Sequence, residues 1–171
     1  MGAQPADPLS PKALATAFAK AVGRETLTPT EQSLAAQAYD DYRPEELPGL
    51  SADDLAVNLA RFWAFAAKRQ GRKPKLRLSP LKGADGRITG LDLLEIVQED
   101  APFLVDSVMG ELSEAGYHVK AMFHPVVGLG RTPAGTISDK APPQRESMIL
   151  VVMDPSATTG ARPCSNSSPS P

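Results

Sequence analysis

LDLLEIVQEDAPFLVDSVMGELSEAGYHVKAM, residues 91–122, reads as an apolar strand, a helix and a second strand in one unbroken unit. Leu91, Leu93, Leu94, Ile96 and Val97 form a β-rich apolar run that stops at Glu99 and Asp100. Pro102 suits the first turn of a helix, where its missing N–H would have no partner anyway, and Asp100 is the expected N-cap. Leu104, Val105, Val108, Leu112 and Ala115 recur at helical spacing, while Asp106, Ser107, Glu111 and Glu114 take the other side. One helix face is therefore expected to be buried. Gly116 closes the helix as a C′ residue. Beyond it, Tyr117, Val119, Ala121 and Phe123 alternate with His118, Lys120, Met122 and His124, the pattern of a half-buried strand.

Upstream, the chain reads as helical. Ser10 and Pro11 give a cap and a first-turn proline, with Leu14, Phe18 and Val22 on one side of a short helix ending near Gly23. Thr28 and Glu31 form a capping box, backed by a stripe of Leu34, Ala38 and Tyr42. Pro44 and Pro48 break the chain, and Ser51 caps a longer helix containing Leu55, Leu59, Phe62, Trp63 and Ala66. Those aromatics are read as core packing rather than as a ligand box. GRKPK, residues 71–75, is a linker whose charges are read as a solvated face in preference to a phosphate site. Leu76, Leu78 and Leu81 suggest a short strand before the turn at residues 83–86.

Downstream, residues 124–127 continue or bend the second strand, and residues 128–143 hold enough Gly and Pro for a loop or distorted hairpin. MILVVM, residues 148–153, is a strand buried on both faces or nearly so. From residue 154 the chain turns polar and rich in Ser and Pro, the signature of disorder.

A chain of 171 residues, 42% hydrophobic, is enough for one core with appendages. Net charge of −2 leaves no electrostatic footprint for nucleic acid or anionic lipid. Cys164 is alone, so an internal disulfide and a cysteine-built zinc site are excluded. The first ten residues lack the basic start and apolar core of a secretory signal, and Ala6 stands where a myristoylation motif wants Ser or Thr. The longest uniformly apolar run is far short of the ~20 residues that span a bilayer. By elimination, a cytoplasmic location is expected, with neither membrane nor nucleic acid as partner.

The catalytic inventory is thin. Gly128 and Gly130 are the start of a dinucleotide fingerprint, but the third glycine is missing and Pro133 follows where a helix should begin. No nicotinamide site is encoded. His118 and His124 would lie about 20 Å apart on a continuous strand, too far to share a metal ion. Glu99 and Asp100 sit at a strand-to-helix turn, beside the N–H groups of a helix start. Capping is the simpler role for Asp100. No catalytic, cofactor or metal residue is assigned.

DAPFLVDSV, residues 100–108, followed by AGYHVKAMFHPVVGLGR, residues 115–131, resembles the N-terminal region of the large bacterial NAD-specific glutamate dehydrogenases. The similarity extends through DLAVNLARFWAFAAKRQGRKPKLRLSP, residues 54–80, and covers residues 40 to 153. In that family the region is an ACT-like regulatory domain, and the parent enzyme uses NAD to deaminate L-glutamate oxidatively to 2-oxoglutarate and ammonia. The order of elements gives an α+β chain, with a helical segment over residues 1–72, a partial ferredoxin-like β-α-β-β unit over residues 75–153, which the resemblance makes ACT-like, and a tail over residues 154–171 whose composition reads as disordered. The resemblance also implies an amino-acid effector near the turn after the first strand. Glu99, Asp100, Phe103 and Ser107 are the candidates, the carboxylates holding an ammonium group and Ser107 or the backbone serving the other end.

The polar tail stands where the family would continue with a helix and a last strand, so a truncated or frameshifted reading frame is expected. Residues 91–98 should then be an open sheet edge, prone to self-association and only modestly protected by Asp92 and Glu95, unless Lys75 to Leu78 fold back and cover it. The expected partner is the remainder of the parent enzyme or a second copy joined through the sheet. A free-standing amino-acid sensor or interaction module, and an inactive folded remnant, remain the competing readings.

Overall fold

The computed structural model describes residues 10–40, 42–43 and 45–155. The N-terminal stretch, the tail and Cys164 lie outside the described residues. Three helices come first, α1 (Pro11–Ala21), α2 (Pro29–Gln37) and α3 (Ala52–Ala66). Each starts where a side chain satisfies the first orphan N–H groups. Ser10 accepts from the Ala13 N–H, Thr28 and Glu31 close a capping box, and Ser51 closes another with Asp54.

A five-stranded antiparallel sheet follows: β1 (Lys75–Lys82), β2 (Ile88–Glu99), β3 (Val119–Phe123), β4 (Val126–Gly130) and β5 (Pro143–Met153), with α4 (Leu104–Glu114) between β2 and β3. The strand order is β1-β2-β5-β3, and β4 also pairs with β5. The molecule is α+β, as the sequence predicts, and the β2-α4-β3-β5 succession is the expected unit.

The open edge is not there. β1 pairs antiparallel along β2, from Lys75 opposite Val97 to Leu81 opposite Leu91, and takes the place that a last strand would fill. The hairpin needs only the 83–87 turn, closed by the Gly83 N–H on the Arg87 carbonyl at 3.0 Å. So short a loop costs little entropy to close. The expectation of an exposed edge at residues 91–98 is therefore overturned, because β2 is an interior strand between β1 and β5.

Period-two alternation gives the sheet two cores. Leu93, Val97, Met148, Leu150, Val152, Ala121, Phe123, Val127 and Leu129 pack against α1, α2 and α3 in one continuous cluster. Ile96, Ile149, Val151 and Met153 face the other way, onto α4 through Leu104, Val108 and Leu112. The 148–153 run is 0–1% exposed throughout, which is why it carries no polar alternation. On the α4 side only part of the sheet is covered. Leu76 and Leu78 of β1, opposite Ile96 and Leu94, remain 56% and 41% exposed.

One further reading changes and another is decided. α4 starts at Leu104 with Phe103 as its N-cap residue, at a left-handed φ of 60°, so neither Asp100 nor Pro102 plays its expected part. The chain stays extended through Asp100, whose N–H donates to the Arg145 carbonyl at 3.0 Å and so prolongs the sheet. Residues 128–130, read as part of a loop or distorted hairpin, are the end of a strand paired antiparallel with β5, which is the hairpin and not the loop.

Candidate functional site

The turn between β2 and α4 gathers the four candidate residues, each engaged differently. Glu99 is held by Arg72, whose guanidinium reaches its Oε2 at 3.0 Å. Ser107 donates its hydroxyl to the Phe103 carbonyl at 3.0 Å. Phe103 is 79% exposed at the tip of the turn. Among the described residues no side-chain hydrogen bond caps the start of α4.

Asp100 belongs to a network that the local sequence could not show. Ser147 Oγ donates to Asp100 Oδ1 at 2.8 Å, and Arg145 Nε reaches Oδ2 at 3.3 Å. His124 Nε2 lies 2.8 Å from the same Ser147 oxygen. An ionised carboxylate can only accept, so Ser147 gives its proton to Asp100 and must accept from a His124 Nε2–H. This fixes the imidazole tautomer. The Ser147 hydrogen bond, reinforced by Arg145, holds the Asp100 carboxyl below its ordinary range against the opposing effect of burial. Burial pushes His124 below 6.5, with Asp100 pulling the other way.

A His, a Ser and an Asp in line would suggest a hydrolase, but the order is wrong for one. Ser147 is fully buried and spends its proton on the carboxylate, so no base is placed to activate it toward a substrate. The network ties β5, the β3–β4 corner and the end of β2 together. His118 stands apart, with Nδ1 2.7 Å from Asp154.

A second charged group lies across the sheet. Buried Glu146 receives Arg69 Nε at 2.7 Å and Arg131 Nε at 2.8 Å. Arg131 also donates to the carbonyls of Gly135 and Ala66, at 2.7 and 2.9 Å. The end of α3 is thus fastened to β5. Among the described residues, no cluster of His, Cys, Asp and Glu could hold a metal ion, and no helix is long and apolar enough to cross a membrane.

Three helices packed on one face of an antiparallel sheet and α4 on the other make an α+β architecture consistent with an ACT-like domain. Residues 34–162 match the family model for the glutamate dehydrogenase ACT1 domain, so the chain belongs to that family. It is similar to the NAD-specific glutamate dehydrogenase of Halomonas elongata, at 32% identity over 64% of this chain and 7% of the relative. A Pseudomonas aeruginosa protein of the same description is 26% identical over 86% of this chain and 10% of the relative. The chain thus spans a tenth or less of the curated relatives that it matches. No solved structure matches it.

Proposed function

We propose that this chain is a regulatory ACT-like domain of an NAD-specific glutamate dehydrogenase, acting in the cytoplasm on the remainder of that enzyme. The parent reaction would be the oxidative deamination of L-glutamate to 2-oxoglutarate and ammonia, with NAD bound elsewhere. The observation that carries this reading is the family match over residues 34–162, which runs from α2 through β5. A small amino acid is the proposed effector, docked at the turn of Glu99, Asp100, Phe103 and Ser107. The uncapped start of α4 supports it, since backbone N–H groups and the positive helix end favour a carboxylate. Arg72 and Arg145 offset the repulsion that Glu99 and Asp100 would otherwise exert on that carboxylate.

The test has two parts. The pure chain should produce no NADH from glutamate, since no candidate acid, base or dinucleotide loop is present among its described residues. In a full-length member of the family, excising the segment aligned with residues 34–155 should leave turnover largely unchanged and remove the response to amino acids. Loss of all turnover, or an intact response, would refute the regulatory reading.

A further inference from the structure

β4 is paired on one side only. Met148 donates its N–H to the Pro125 carbonyl at 2.8 Å, which makes that pair hydrogen-bonded and fixes the alternation along the strand. Val126, Gly128 and Gly130, opposite Ser147, Arg145 and Pro143, therefore turn their peptide groups away from β5. Two of the three are closed. The Gln37 carboxamide lies against Val126, its Nε2 donating to the carbonyl at 2.9 Å and its Oε1 accepting the N–H at 3.0 Å. The Gly130 carbonyl accepts the Ser138 N–H at 2.8 Å. Between them Gly128 is exposed, has no side chain to cover it, and finds no partner for its outward N–H or C=O among the described residues.

That peptide group opens into a groove of about 430 Å³ lined by Thr30, Ser138 and Asp139 among others. Among the described residues the Thr30 hydroxyl and the Asp139 carboxylate have no hydrogen-bond partner either, and Asp139 is exposed. We propose that Gly128 receives the carboxamide of a small free ligand that also carries a cationic amine, as Val126 receives the carboxamide of Gln37. A carboxamide presents one acceptor and one donor in a plane, the complement of an extended residue's N–H and C=O. A carboxylate has no donor for the Gly128 carbonyl. Asp139 adds the preference for a cation. An added strand is excluded, because Gln37 and Ser138 close the edge on both sides of Gly128.

The full chain, labelled with nitrogen-15, can be titrated with glycinamide, acetamide and acetate while the Gly128 amide resonance is followed. Glycinamide should shift it saturably, acetamide should do so with about tenfold weaker affinity, and acetate should leave it in place. Gly128→Pro removes the donor without taking a ladder bond, since that N–H points away from β5, and should abolish the shifts that glycinamide causes at the Leu129 and Ser138 amides of the same groove. Asp139→Asn should bring glycinamide down to the affinity of acetamide. If Gly128→Pro does not fold, the Gly128 shift in the parent chain still decides. An unmoved Gly128 resonance, or an equal shift with acetate, would overturn the proposal.

Discussion

At the residue scale, the Asp100, Ser147 and His124 network makes stability depend on pH in two windows. His124 has a lowered pKa in the fold, so the unfolded chain takes up its proton first and stability falls as pH drops below 6.5. Asp100 is also lowered, and its contribution, present above 3.8, is lost as pH falls further toward the folded value. Urea unfolding at pH 7.5 and 5.5 should show a drop in midpoint that is smaller in His124→Gln, which keeps a donor for Ser147. An identical drop in both proteins would remove His124 from the network's titration. Asp54 can be tested in the same way. Its carboxylate closes the capping box of α3 and accepts the Ala84 N–H at 2.8 Å and Arg87 Nη1 at 3.0 Å. Those bonds, led by Arg87, hold its pKa far below the usual range. Asp54→Ala should therefore cost about 2–4 kcal/mol in denaturant unfolding, more than a cap alone, because it also frees Arg87 and the 83–87 turn. The cap at Ser51 was legible in the sequence, since its partners are three residues away. The partners of Asp100 lie 45 and 47 residues along the chain, and only the sheet register brings them to it.

At the element scale, the 128–143 stretch shows where composition falls short. Its glycines left a loop and a distorted hairpin both open, and Gly130 is a strand residue whose added Cβ would meet the Ala141 carbonyl oxygen at 2.2 Å. The glycine is there for room, not for mobility. Arg131, at the end of β4, then joins Arg69 on Glu146, so the helix layer and the sheet share one buried carboxylate between two guanidiniums. Glu146→Gln would leave two cations facing each other with no counter-charge, and should destabilise the fold by about 3–5 kcal/mol. Calorimetric or urea unfolding of that variant beside Arg72→Gln, whose ion pair with Glu99 is exposed, should separate the two by severalfold. Similar losses for both would show that the buried group is not a clamp. The starts of α1, α2 and α3, by contrast, were legible to the residue, because capping side chains and prolines at N1 act within four residues of one another, whereas α4 has no side-chain cap to announce it.

At the scale of the whole molecule, the strand that was expected to be an edge is interior, and the consequence for mutation reverses. Leu93 is 3% exposed in the main core, so Leu93→Lys should unfold the chain rather than improve its behaviour. Leu76 and Leu78, on the uncovered part of the α4 face, are where a lysine should be tolerated, at a cost within about 0.5 kcal/mol. If a second copy covers that face, Leu78→Lys should also lower light scattering across a concentration series. Scattering that is unchanged by the substitution would show that no second copy covers that face. The strand-helix-strand order was readable from period and punctuation, but the fold-back of Lys75 to Leu78 onto the edge stood only as the alternative, because nothing local says which neighbour a strand will choose. Its choice also sets a timetable. β1 and β2 leave the ribosome as a hairpin with a short turn, whereas β5 must register with β2, β3 and β4 at once and is made last. Among the described residues, a nascent chain stalled before Pro143 would hold four helices and the β1–β2 hairpin but no central strand, and the eleven residues of β5 bring the register that joins β2, β3 and β4.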